Sequence, residues 1–93
     1  MHVTRINRFF AKPHLSEDLH EFLISILPII QGSEGCEGAQ LLRGKDDPHE
    51  FVIIEQWTSV AAHKGATKAI PPDQFDVVLP MLAKPPSGAY YVH

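Results

Sequence analysis

Cys36 is the only cysteine in a chain of 93 residues. A single thiol forms no intrachain disulfide and supplies no multi-cysteine zinc or iron–sulfur site, so a reducing, cytoplasmic setting is expected. Long apolar runs are missing too. The longest, Phe22 to Ile30, is interrupted by Ser25 and Pro28, and Met1 to Phe10 alternates polar with apolar residues. Neither a membrane span nor a signal peptide is therefore expected. An excess of positive charge is also absent: eight Lys and Arg against eleven Asp and Glu give a net charge of −3. Such a surface offers no electrostatic footprint for a phosphate backbone, which argues against nucleic acid as a partner. The six histidines include no pair spaced i, i+4. With no such pair a metal site is not expected, and no cofactor is implied.

What is present suits a folded chain. Hydrophobic residues make up 44% and charged residues 20%, ordinary globular usage. Residues 1–93 are read as one domain, since this length buries only roughly two-thirds of the surface its unfolded form exposes. Repeats, linkers and low-complexity tracts are not evident, although five of the eight prolines fall between Pro71 and Pro86.

His2 to Phe10 is rich in β-branched and aromatic residues and predicts a strand ending at Lys12-Pro13. Ser16 is a candidate N-cap for a helix whose Leu19, Phe22, Leu23, Ile26 and Ile30 form an apolar stripe. Pro28 predicts a kink or an early stop in it. Ala39 to Arg43 and Glu50 to Trp57 read as two strands joined by a hairpin at Asp46-Asp47-Pro48. Ser59 caps a helix from Val60 to about Ile70, and Phe75, Val78, Leu79 and Leu82 predict a further helical turn or two. Ala89 to Val92 predicts the final strand.

This order, β-α-β-β-α-β with an extra helical piece, is the split βαβ arrangement of an α+β, ferredoxin-like antiparallel sheet. The third strand sets Phe51, Ile53, Glu55 and Trp57 on one side and Val52, Ile54 and Gln56 on the other, so both faces are largely apolar. Helices in this topology cover only one of them. The other is expected to be covered by a second copy of the chain, making a homodimer.

Gly35-Cys36-Glu37-Gly38, then Glu55-Gln56-Trp57-Thr58-Ser59 with Ala62 and His63 following, resembles the antibiotic biosynthesis monooxygenase domain family. The resemblance spans nearly the whole chain. It implies a dimeric α+β barrel with a pocket between each sheet and its helices. It further implies cofactor-independent oxidation of a small phenol or quinol by dioxygen, with Asn7, Trp57 and His63 as the site residues. Asn7 would hold the phenolate oxygen, Trp57 would form an aromatic wall and His63 would take the proton. Haem-degrading members carry a histidine nine or ten residues after the tryptophan, where this chain has Ala66 and Thr67. That departure weakens a haem-degrading reading and leaves a non-catalytic, ligand-binding or stress-associated dimer as the alternative.

Each candidate also has a plain structural reading. Trp57 suits a core or an interface, Asn7 an ordinary hydrogen bond on its strand, and His63 the covered end of a helix. No strong acid–base pair is visible in the linear order. Cys36 has no cationic neighbour in sequence to activate it. Other functions of this topology lack their signatures: His49 to Glu55 has no RNA-binding glycines, no Cys-x-x-Cys follows the first strand, and Arg8 to Ala11 is no phosphate loop.

Overall fold

The computed structural model describes residues 2–93. Strand β1 (Val3–Phe10) leads through a short 3-10 turn at Pro13–Leu15 into helix α1 (Ser16–Gln31). Strands β2 (Cys36–Arg43) and β3 (Glu50–Trp57) form the hairpin, followed by α2 (Val60–Thr67), α3 (Pro72–Val78), a 3-10 turn at Leu79–Met81 and β4 (Ser87–Tyr91). The strands pair in the order β2-β3-β1-β4, all antiparallel. This is the expected ferredoxin-like sheet.

The register decides which residues share a face. Val3 pairs with Trp57, Arg5 with Glu55, Asn7 with Ile53 and Phe9 with Phe51. On β4, Tyr90 lies opposite Arg5 and Gly88 opposite Asn7. The helices close over this face: Leu19, Leu23 and Ile30 of α1, Val78 of α3 and Leu82 join Val3, Phe51, Ile53 and Trp57 in one buried core. The predicted stripe on α1 is thus the stripe that packs.

Several boundaries differ from expectation, each for a local reason. Helix α1 runs three residues past Pro28, because the loss of one N–H falls in its last turn. There Gly32 N–H donates to the Pro28 carbonyl at 2.9 Å and the Ser33 hydroxyl to that of Ile29 at 2.8 Å, satisfying carbonyls the helix end leaves free. Ser16 is not the N-cap but the first helical residue. Its hydroxyl is engaged with His49 Nδ1 at 2.5 Å, tying α1 to the β2–β3 hairpin. Strand β2 begins at Cys36, three residues early, with a pairing irregularity between Cys36 and Gly38. Helix α2 stops at Thr67 rather than Ile70, and the extra helical piece begins at Pro72, where proline fits the first turn. Ser59 caps α2 as read, its hydroxyl accepting from Ala62 N–H at 3.0 Å.

Gly35 turns the chain from α1 into β2 with φ of +86°, a conformation that favours glycine. A side chain there would also strike Ala62 and Thr58, so the residue lets α2 dock against the turn. Among the described residues no helix covers the opposite face of the sheet. Ile6 pairs with Ile54 at its centre, flanked by Val52, Leu42 and Tyr91, and Leu42 and Tyr91 are about half exposed. Among the described residues no helix is long and apolar enough to cross a membrane.

Candidate active site

Between the inner face of the sheet and the three helices lies a cavity of about 260 Å³. Its walls are mostly aliphatic and aromatic: Phe22 and Ile26 from α1, Ile53 from β3, Ile70, and Phe75 and Leu79 towards the opening. Phe75 and Leu79 are themselves about half exposed. Arg5, Asn7 and Glu55 make a polar floor where β1 and β3 run side by side, and Ser33, Thr67, Gln74 and Ser87 add polar groups elsewhere in the lining.

Glu55 occupies that floor and is 3% exposed. Both carboxylate oxygens are bonded. Trp57 Nε1–H donates to Oε1 at 2.8 Å, and the Asn7 side-chain amide donates to Oε2 at 3.0 Å. Burial raises the Glu55 pKa above its ordinary value, while these two donors and the nearby Arg5 charge pull it back. His63 reaches the same carboxylate from α2, with Nε2 at 3.8 Å from Oε1. Its other ring nitrogen, Nδ1, shares a 2.6 Å hydrogen bond with the Tyr90 hydroxyl on β4. Burial, then Arg5 and Lys64, lower the His63 pKa, which keeps the imidazole uncharged at neutral pH.

Arg5 completes the floor. Its Nε–H donates to Asn7 Oδ1 at 2.9 Å, and its guanidinium carbon lies 4.6 Å from the centre of the Tyr90 ring. The aromatic rings pack edge to face, Trp57 to His63 at 5.4 Å and His63 to Tyr90 at 5.3 Å between centroids. Chemically, the site pairs an uncharged base with a buried carboxylate able to stabilise its protonated form, beside a fixed positive charge.

All three sequence candidates line this cavity. Asn7 and Trp57 hold the carboxylate, and His63 stands beside it. Sequence reasoning missed the group they converge on. It also missed Arg5 and Tyr90 and the approach of His63 Nε2 to within 3.8 Å of the Glu55 carboxylate. One signal was legible: Glu55 is the only charged residue on the inward side of β3, between Ile53 and Trp57. Cys36 plays no part in the floor, and burial pushes its thiol pKa up, away from reactivity.

The antiparallel sheet, its one-sided helices and a cavity floored by titrating side chains define a small-molecule site on a ferredoxin-like α+β scaffold. The family profile for antibiotic biosynthesis monooxygenase matches residues 2–72, most of the chain, and the protein belongs to that family. Solved structures share the fold at low identity. Rv0793 from Mycobacterium tuberculosis superposes with a TM-score of 0.85 at 21% identity, over 100% of this chain and 95% of its own. SnoaB, a cofactor-independent oxygenase from Streptomyces nogalater, gives 0.78 at 18% identity, over 99% and 92% of the two chains. SO0527 from Shewanella oneidensis gives 0.82 at 22% identity, over 97% and 88%. No curated protein sequence matches the chain.

Proposed function

We propose that this protein is a cofactor-independent monooxygenase that oxidises a small phenol or quinol with dioxygen. The observation that carries the reading is the convergence of Asn7, Trp57 and His63 on the buried Glu55 carboxylate beneath an apolar cavity. Family membership supports it, and the fold neighbour from Streptomyces nogalater is an oxygenase of this type.

In this scheme the neutral His63 imidazole accepts the phenolic proton, and Glu55 stabilises the resulting imidazolium. The phenolate then passes one electron to dioxygen. The phenoxyl radical and superoxide combine at a ring carbon bearing hydrogen, forming the carbon–oxygen bond of a hydroperoxide. Cleavage of the O–O bond, with loss of the ring C–H proton, leaves a second carbonyl and releases water. The sum is one phenol and one dioxygen to one quinone and one water, with all electrons supplied by the substrate. Asn7 uses one amide N–H on Glu55, leaving the second for the substrate oxygen, and Trp57 walls the ring. The dry, preorganised floor favours charge that develops on that oxygen.

The cavity volume of about 260 Å³ falls below the usual drug-sized range, so the substrate panel centres on phenols of one or two rings. The functional unit in this reading is a homodimer joined through the helix-free face of the sheet, where Ile6, Ile54 and Leu42 form an apolar surface. A reducing cytoplasm is its proposed setting. Oxygen uptake with naphthols and naphthoquinols is the direct test. Uptake above the buffer rate that falls in Asn7→Ala and His63→Ala supports the proposal. Uptake no faster than buffer, or unchanged in both variants, removes it, and binding without turnover then assigns the cavity to a non-catalytic ligand-binding dimer.

A further inference from the structure

Arg5 holds a positive charge at an apolar cavity without a carboxylate on its nitrogens: among the described residues no Asp or Glu oxygen lies within 4.0 Å of them. The oxygens of Glu55, its register partner on β3, are taken by Asn7 and Trp57 instead. Only the Arg5 Nε–H is bonded to the protein, through Asn7. The fork of terminal N–H groups lies beside Gly88 on β4, where a side chain would collide with both the guanidinium and Asn7 Oδ1. Glycine thus makes room on β4 for the guanidinium at the point where the cation meets the cavity. The Tyr90 ring packs against the guanidinium, 4.6 Å from its carbon. A half-buried guanidinium has lost part of its hydration, and a ligand oxygen carrying negative charge restores the interaction with charge-assisted hydrogen bonds.

We propose that this cavity binds its ligand as a monoanion, a small aromatic ring that bears, besides the hydroxyl His63 deprotonates, one anionic oxygen group held by the terminal nitrogens of Arg5. Phe22, Ile26, Ile70 and Phe75 enclose the ring, and the anion lies at the polar floor. The assignment deepens the oxygenase reading by naming the charge state of its ligand and the residue that selects it. It is tested by binding alone, without turnover.

Calorimetric titration of the intact protein with 2-naphthoate and with 2-naphthamide compares the same ring with and without the charge. The expected result is a dissociation constant about tenfold or more lower for naphthoate. That preference is expected to vanish in Arg5→Gln and to persist, reduced, in Arg5→Lys, which keeps the charge but not the fork. Equal affinity in the wild-type protein, or no binding of naphthoate, overturns the proposal whether or not the variants fold. A preference that survives in folded Arg5→Gln overturns it too, by placing the counter-charge elsewhere. Anion preference without oxygen uptake keeps this site and removes the oxygenase reading. Oxygen uptake without anion preference does the reverse.

Discussion

Trp57 donates its indole N–H to the carboxylate of Glu55, two residues earlier on the same face of the same strand, at 2.8 Å. The pair explains how a 93-residue chain holds an ionisable group 3% exposed within its four-stranded sheet. Alternation along β3 points both side chains inward, and Asn7 from β1 takes the remaining oxygen. The first prediction concerns this bond. Trp57→Phe keeps an aromatic ring but removes the donor, leaving one carboxylate oxygen unpartnered in a dry site. Unfolding in urea is expected to show a loss of about 2–4 kcal/mol, from the missing charge-assisted bond and the lost volume together. A loss within experimental error of zero would show that water replaces the indole N–H.

The histidine supplies a prediction in pH. His63 has a folded-state pKa below its ordinary value of 6.5. As the pH falls below that value the unfolded chain takes up a proton that the folded chain declines, so stability is lost on the acid side. Thermal melts between about pH 5 and pH 7 should therefore show a flatter acid-side decline for His63→Gln than for the wild-type chain. Parallel curves would mean that the imidazole titrates alike in both states. Glu55 works in the opposite sense: its raised pKa costs stability as the pH climbs from the ordinary carboxylate value through the folded one.

A side chain at Gly88 is expected to displace Arg5. A Cβ there meets the Arg5 guanidinium and Asn7 Oδ1, and the arginine is the freer of the two to move. Gly88→Ala should retain the circular dichroism of the fold while weakening binding of aromatic anions about tenfold, as Arg5 is displaced. Binding equal to wild type would show that the guanidinium need not occupy this position.

The bare face of the sheet predicts a quaternary effect. Ile54 pairs with Ile6 at its centre. Ile54→Arg places a charge in the middle of the proposed interface, and light scattering at micromolar concentration should then report the mass of one chain where the wild-type protein reports two. Equal masses for the two proteins would remove the interface from this face.

Element order was legible in the sequence because strand alternation and helical spacing are local. The stripe Leu19, Leu23 and Ile30 and the grouping of Phe51, Ile53 and Trp57 on one side of β3 needed no knowledge of the rest of the chain, but the side the helices cover did. The early stop expected at Pro28 did not occur. Pro28 sits inside α1, since a proline in the last turn costs a helix only one bond near its end. Ser16 misled for a related reason: a hydroxyl near a helix start can serve a distant partner, here His49, and sequence spacing does not reveal which.

The site divides in the same way. Asn7, Trp57 and His63 were found through their strand and helix positions and a family pattern, each as an isolated candidate. What joins them is Glu55, and its importance depends on the register of β1 against β3 and on the docking of α2. The sequence by itself determined the four strands, the helices and which residues of β3 share a side, because backbone periodicity imposes these over short distances. Only the tertiary structure decided that 48 residues of separation bring Asn7 to Glu55 and 27 bring Tyr90 to His63. Hydrogen bonds and pKa shifts depend on contacts of a few ångströms, and those are set by the way the sheet and helices close around the cavity.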